Sequence, residues 1–300
     1  MGVVSTRTSN PTPGSGDDPA ALRAIAEHVV LEAAQHLRGL PRPWEDPSEL
    51  GTTGDGVSTK STPTDVVTAS DHALETLIRD ALAKLRPGDA VMGEEQGHGV
   101  TGPVTTGTGT QWVVDPIDGT VNFLYGMPWY AVSLAAVRDG VTVAGAVVEP
   151  ASGRLWSAAL GGGATLDERP LRVSGASDLS LSLLATGFSY SAERRTRQIN
   201  MISGMLPHVR DLRRNGAAAL DLCAVAAGWV DGYVEHGCNW WDWAAAALIA
   251  TEAGAVVRVP GPTGAVPPDD GLGADAILAA SPAIAVDLAA LARAHGAADV

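Results

Sequence analysis

The chain has 300 residues, 45% of them hydrophobic, and a formal net charge of −14 at neutral pH. That length exceeds the usual size of one small domain and allows a large buried core. The acidity speaks against a nucleic-acid partner, because polyanion affinity rests on Lys and Arg neutralising phosphates, and no run of eighteen apolar residues offers a membrane span.

Residues 1–18, rich in Ser, Thr, Pro and Gly, read as a disordered tail without the apolar core of a secretory signal. Asp18-Pro19 forms an N-cap and first-turn pair, and Leu22, Ile25, Val29 and Leu37 recur at helical spacing up to Gly39. After a loop over 40–59, a second helix is expected from Asp71 to Leu85, with Leu74, Leu77, Ile78 and Leu82 on its apolar face and Pro87-Gly88 as its stop. Ala90-Val91-Met92 is a short apolar run that ends at Gly93-Glu94-Glu95, and Gln111 to Asp115 suits a buried strand. Tyr130 to Val137 and Val141 to Val148 flank Arg138-Asp139-Gly140, a hairpin signal, and Arg154 to Ala158 adds another strand to a mainly antiparallel sheet. Gly161-Gly162-Gly163 lacks the Lys-Ser/Thr of a phosphate loop and reads as a turn.

Beyond Ser174 the pattern alternates: strand 181–186, helix 193–208, strand 211–213, helix 217–229, strand 233–235, helix 242–253, strand 276–280 and helix 284–295. The division expected is therefore an α+β half over 19–174 and an α/β half over 175–300. Cys223 and Cys238 provide neither a disulfide framework nor a thiolate zinc site, and they read as core thiols of a cytoplasmic protein.

The chemistry concentrates in Trp112-Val113-Val114-Asp115-Pro116-Ile117-Asp118-Gly119-Thr120-Val121-Asn122-Phe123. Asp115 and Asp118 leave an apolar strand, and Pro116 fixes φ between them, so their carboxylates can converge. Two such charges about 4 Å apart repel by roughly 4 kcal/mol at an effective dielectric near 20, a cost that a hard divalent cation removes. Gly119 and Thr120 follow with backbone N–H groups that suit an anion at a helix start. Cation and amides together describe a phosphate-ester site. The seven histidines form no His-x-His or His-Glu-x-x-His pattern, and no Gly-x-Ser-x-Gly elbow supports a serine hydrolase.

This segment resembles the signature of the inositol monophosphatase family, the magnesium-dependent, lithium-sensitive sugar and nucleotide phosphatases. Three further motifs stand in the family's order: Lys60-Ser61-Thr62-Pro63-Thr64-Asp65, Gly93-Glu94-Glu95, and Trp241-Asp242 at the head of an alanine-rich stretch. The wording around them is most similar to the bacterial SuhB-type branch. The resemblance implies an α+β / α/β fold, a layered αβαβα sandwich whose first half carries most metal ligands and whose second half carries Asp242 and the sugar site.

It also implies Mg²⁺ as cofactor, two or three ions per active site. One would be held by Glu94, Asp115 and the Ile117 carbonyl, a second by Asp115, Asp118 and Asp242, and a weaker third near Glu94. The attacking water's proton would pass to a Thr120–Asp65 pair, although Asp65 before Val66-Val67 also reads as a plain turn or helix cap. Glu95 would hold ligands or water, and Lys60 would offset the acidic pocket. Glu235, seven positions before Asp242, matches a carboxylate that accepts ring hydroxyls. The backbone near Ala218 would line the sugar site, although Gly216-Ala217-Ala218 also suits a small-residue helix start. Gly119, Thr120 and Asp242 complete the expected substrate contacts.

The implied substrate is inositol 1-phosphate or a related sugar monophosphate, and the implied assembly is a homodimer without membrane or direct nucleic-acid contacts. Alternatives within the resemblance are fructose 1,6-bisphosphate, histidinol phosphate or a 3′-phosphonucleotide as substrate, or a protein-binding regulatory role. Arg213-Arg214 could touch phosphate, pack a dimer or form a structural ion pair.

Overall fold

A computed structural model describes residues 18–40, 57–59, 66–96, 109–261 and 270–300. Helix α1 (Pro19–Gly39) begins as its sequence dictates, with the Asp18 side chain accepting the Ala20 N–H at 3.3 Å and Pro19 in the first turn. It buries Leu22, Ile25, Ala26, Val29, Val30 and Leu37 along one stripe. Strands β1 (Val57–Thr59) and β2 (Val66–Thr68) form an antiparallel ribbon that runs into α2 (Ala69–Leu85).

The first sheet has seven strands in chain order: β3 (Ala90–Gly93), β4 (Gln111–Asp118), β5 (Ala131–Arg138), β6 (Val141–Val148), β7 (Leu155–Ala159), β8 (Gly163–Leu166) and β9 (Arg169–Pro170). Only β3–β4 is parallel; the other neighbours are antiparallel, as hairpin connections require. A short helix, α3 (Thr120–Leu124), interrupts the passage from β4 to β5.

The second sheet draws on β10 (Leu183–Thr186), β11 (Asp211–Arg213), β12 (Gly232–His236), β13 (Val256–Arg258) and β14 (Ala276–Ala280), in the order β11-β10-β12-β14-β13. β10 is parallel to both β11 and β12, while β14 runs antiparallel to its neighbours. Helices α4 (Ala192–Met205), α5 (Ala218–Ala226), α6 (Trp240–Glu252) and α7 (Pro282–Ala294) complete the fold.

Three apolar cores stack these elements as helix, sheet, helix, sheet, helix. One joins α1 and α2 to a face of the first sheet through Val29, Ile78, Trp112 and Leu134. The middle core holds α5 and α6 between both sheets, with Val113, Trp156, Leu222, Ile249 and Tyr233. The third packs α4 and α7 on the far face of the second sheet through Met201, Val234 and Leu288. A helix covered from two sides must be largely apolar all round, and α5 and α6 are, apart from Asp221 on α5 and Asp242, Thr251 and Glu252 near the ends of α6. Their alanines permit close approach: a Cβ at Gly145 of β6 would lie 2.9 Å from the Ala245 Cα of α6.

The expected αβαβα sandwich is the fold found. Differences lie in short elements. β8, β9 and β13 are two to four residues long, too short to carry an alternating pattern. β4 extends past Asp115 to Asp118, and Pro116 is tolerated because the pairing with β5 is irregular between those two aspartates.

Candidate active site

A pocket of about 810 Å³ opens where α3, α5 and α6 begin and where β10 and β12 end. Its walls include Glu94, Asp115, Ile117, Asp118, Glu235 and Asp242, together with Gly119, Thr120 and Ala218. Carboxylates from the end of β3, the β4 irregularity, the end of β12 and the first turn of α6 therefore meet in one place. Lys60 and Asp65 lie outside the described residues.

Each acidic group is held by its local backbone. Asp115 accepts the Ile117 N–H at 3.0 Å, a two-residue turn made by the β4 irregularity. Asp118 accepts the Ala218 and Ala219 N–H groups, at 3.2 and 2.7 Å, with its two oxygens. Those amides open α5 and have no intrahelical acceptor. In this arrangement the amide expected to line the sugar site holds Asp118. Asp242 is the third residue of α6 and accepts the N–H of Asn239, the N-cap of that helix, at 2.6 Å.

The clustering is electrostatically costly. Burial lifts the Asp118 carboxyl from its ordinary 3.8 to about 7, against the opposing pull of the two α5 amides, and the charges of Glu235 and Glu94 add to the rise. Asp242 is pushed well up by burial and then by Glu94 and Asp118. Burial also raises Asp221, on α5 behind the pocket, in spite of a 2.6 Å hydrogen bond from Asn215. Carboxylate oxygens crowded in this way, with the Ile117 carbonyl beside them, fit a hard divalent cation, which would restore the charged forms. Among the described residues, no three His, Cys, Asp or Glu side chains are gathered as closely as one coordination shell requires. The backbone N–H groups on Asp118 and Asp242 account for their present orientation.

Thr120 lies with its hydroxyl 3.3 Å from Asp71 Oδ1 and 3.0 Å from the Ile117 carbonyl. Sequence reasoning paired Thr120 with Asp65; the carboxylate brought to Thr120 within the described residues is Asp71, at the first turn of α2. Glu75, one turn further, was also missed. Its buried carboxylate accepts the Glu95 N–H at 2.8 Å and pairs with Arg79 at 2.8 Å, so α2 fixes the Glu94-Glu95 turn. Gly93 makes this possible, because a Cβ there would overlap the Glu75 carboxylate. A signal existed in the spacing: Asp71 and Glu75 fall on the helix stripe of Leu74, Ile78 and Leu82, where a carboxylate needs a buried partner. The Glu95 side chain is itself buried, with His72 at 3.9 Å.

Other sequence features resolve as follows. Arg213 pairs with Asp211 at 2.8 Å, a structural ion pair, while Arg214 lines the pocket. The Gly161 and Gly163 amides both donate to Glu252, so that glycine turn is closed by an internal carboxylate. His236 is buried with Nε2 2.7 Å from the Leu272 carbonyl, in keeping with a packing role. Cys223 is buried as expected, but Cys238 is only half-buried and lines the pocket. None of the described helices is long and apolar enough to cross a membrane.

The layered sandwich and its acidic pocket are those of a class of phosphatases whose solved structures share this fold. The chain belongs to the inositol monophosphatase family, whose model matches residues 19–297. It is 51% identical to the inositol-1-monophosphatase of Mycobacterium leprae over 95% of this chain and 98% of that protein. It superposes on Mycobacterium tuberculosis SuhB with a TM-score of 0.76 at 41% identity, over 94% of this chain and all 100% of that one. It is also 42% identical to the Escherichia coli Nus factor SuhB, over 64% of this chain and 71% of that protein.

Proposed function

We propose that this phosphatase hydrolyses inositol 1-phosphate and related sugar monophosphates to free polyol and phosphate, with Mg²⁺ as its cofactor. The observation that carries the reading is the convergence of Glu94, Asp115, Asp118 and Asp242 on a pocket that also contains Thr120 and Glu235.

Glu94, Asp115 and the Ile117 carbonyl would hold one ion, and Asp115, Asp118 and Asp242 a second, with a weaker third near Glu94. Bound magnesium would offset the carboxylate charge, polarise the phosphoryl oxygens and lower the pKa of the attacking water. Everything else falls to the chain. Thr120 Oγ accepts a hydrogen bond from that water while its own proton is directed to Asp71, which is acceptor-only when ionised. Asp71 is the acceptor for this proton among the described residues, and Asp65, outside them, would help to orient the same hydroxyl. Gly119 and Thr120 present backbone amides to the phosphoryl group at the start of α3, and Glu95 holds ligands or water. Lys60 offsets part of the acidic charge. The new P–O bond forms to the water oxygen as its proton passes through Thr120 to Asp71, the ester P–O bond breaks, and the polyol oxygen leaves with a proton from solvent, which balances the one taken up. At the far end Glu235 accepts sugar hydroxyls, and Ala218 and Asp242 bound the ring.

A homodimer is part of the proposal; sedimentation should give twice the 30.7 kDa chain mass. The principal test is phosphate release from a panel of sugar and nucleotide monoesters with Mg²⁺ present or chelated. Release should be greatest for inositol 1-phosphate and vanish with chelation, and no release from any small monoester would overturn the reading.

A second reading follows from the Escherichia coli relative named a Nus factor: a protein-binding role beside catalysis. Asp118→Asn separates the two, since a cellular function that persists after catalysis is lost belongs to binding.

A further inference from the structure

We infer that Tyr233 is a positioning residue for sugar recognition: its buried hydroxyl aims the Glu235 carboxylate, in a slot kept open by Gly187, and thereby sets selectivity for polyol esters. The inference rests on the proposed role of Glu235 in accepting substrate hydroxyls.

Tyr233 and Glu235 are two apart on β12, so both side chains leave the same face of the strand. That face looks into the middle layer, and Tyr233 is fully buried in its core while Glu235 stands at the pocket wall. The phenol donates to Glu235 Oε2 at 2.6 Å. This is the short distance of a charge-assisted bond. The other polar atom near the phenol is Cys238 Sγ at 4.0 Å, a weak partner, so the hydroxyl proton is committed to the carboxylate.

The neighbouring strand completes the slot. β10 is parallel to β12 with Thr186 beside Val234, which places Gly187 next to Glu235. A Cβ at position 187 would overlap the carboxylate, so the Glu235 head group lies over the bare Gly187 backbone. Terminal carboxylate torsions are broad and nearly two-fold. A carboxylate held by the Tyr233 phenol, with the Cys238 thiol as a weaker second donor, and by close backbone on the other side cannot use that freedom. Its remaining lone pairs then face the pocket before substrate arrives, and the ordering cost is already met in the free enzyme.

The experiment compares Tyr233→Phe with wild type in Mg²⁺-loaded full-length enzyme, using inositol 1-phosphate and p-nitrophenyl phosphate, which has no hydroxyls for Glu235. The substitution removes one oxygen from a buried ring and keeps its volume. The expected result is a KM for inositol 1-phosphate raised about tenfold, the loss of one oriented charge-assisted bond, with kcat within about twofold. The ratio of kcat/KM for the two esters should fall by the same factor. In a Glu235→Gln background, Tyr233→Phe should add little, because the two residues act as one unit. Gly187→Ala should reproduce the selectivity loss by displacing the same carboxylate. Equal losses on both esters, or additive effects with Glu235→Gln, would show a packing role alone and overturn the inference. If wild type released phosphate from neither ester, the functional reading itself would fall; if it cleaved only p-nitrophenyl phosphate, the polyol assignment and this inference would fall together.

Discussion

The hydroxyl of Thr120 meets the carboxylate of Asp71 at 3.3 Å, although 49 positions separate them in the chain. The contact joins the first turn of α2 to the first turn of α3; both groups are buried, Thr120 in the pocket wall and Asp71 behind it. A buried carboxylate on a hydroxyl polarises it without having to be a strong base.

Asp71→Asn is therefore expected to lower kcat by about 10²- to 10⁴-fold, the range for loss of a general acid–base group, with little change in KM. Thr120→Ala should cost a similar factor. The double variant should be no worse than the poorer single one, as steady-state kinetics on inositol 1-phosphate would reveal; independent, multiplying losses would dissolve the pair.

Asp118 predicts an unusual pH response in chelator. Its folded value of about 7 lies above the ordinary 3.8, so the folded state favours the protonated form. The stability it contributes is complete below about 3.8 and is lost as pH rises to about 7. Asp242 and Asp221 shift in the same direction. Melting temperature without divalent ions should drop by several degrees across this window, Asp118→Asn should make the decline shallower, and Mg²⁺ should cancel it. A melting temperature that climbs over the same range would contradict the electrostatic account.

Gly145→Ala tests the spacing of the middle layer. The added methyl would meet Ala245 Cα at 2.9 Å and Cβ at 3.0 Å, with sheet on one side and helix backbone on the other. Overpacking of this kind costs about 1–3 kcal/mol. Because α6 carries Asp242, the Mg²⁺ concentration for half-maximal activity should rise along with the fall in stability. Unaltered denaturant midpoints would mean that the layers yield freely.

Lithium should inhibit turnover, since a small monovalent ion can occupy the weaker ion position without supplying full charge. Inhibition should be relieved partly by raised Mg²⁺. Activity indifferent to high lithium would exclude competition at these carboxylates.

The sequence by itself determined much of this protein. Helix α1 follows from Asp18-Pro19 and its apolar stripe, β5 and β6 from two strand-like runs around Arg138-Asp139-Gly140, and the acidic chemistry from Asp115 to Thr120. These signals are local: caps, turns and periodicity act over a few residues, so a linear reading reaches them. The partner of Thr120 was not legible in that way. Asp71 stands 49 positions before Thr120 in the chain, and only the packing of α2 against β4 brings its carboxylate to the hydroxyl. The same holds for Glu75 under Gly93, for Asp118 across the α5 amides, and for Tyr233 and Gly187 around Glu235. Those pairings join residues from separate elements, and their geometry exists only once the layers close and backbone approaches side chain within a hydrogen bond's length.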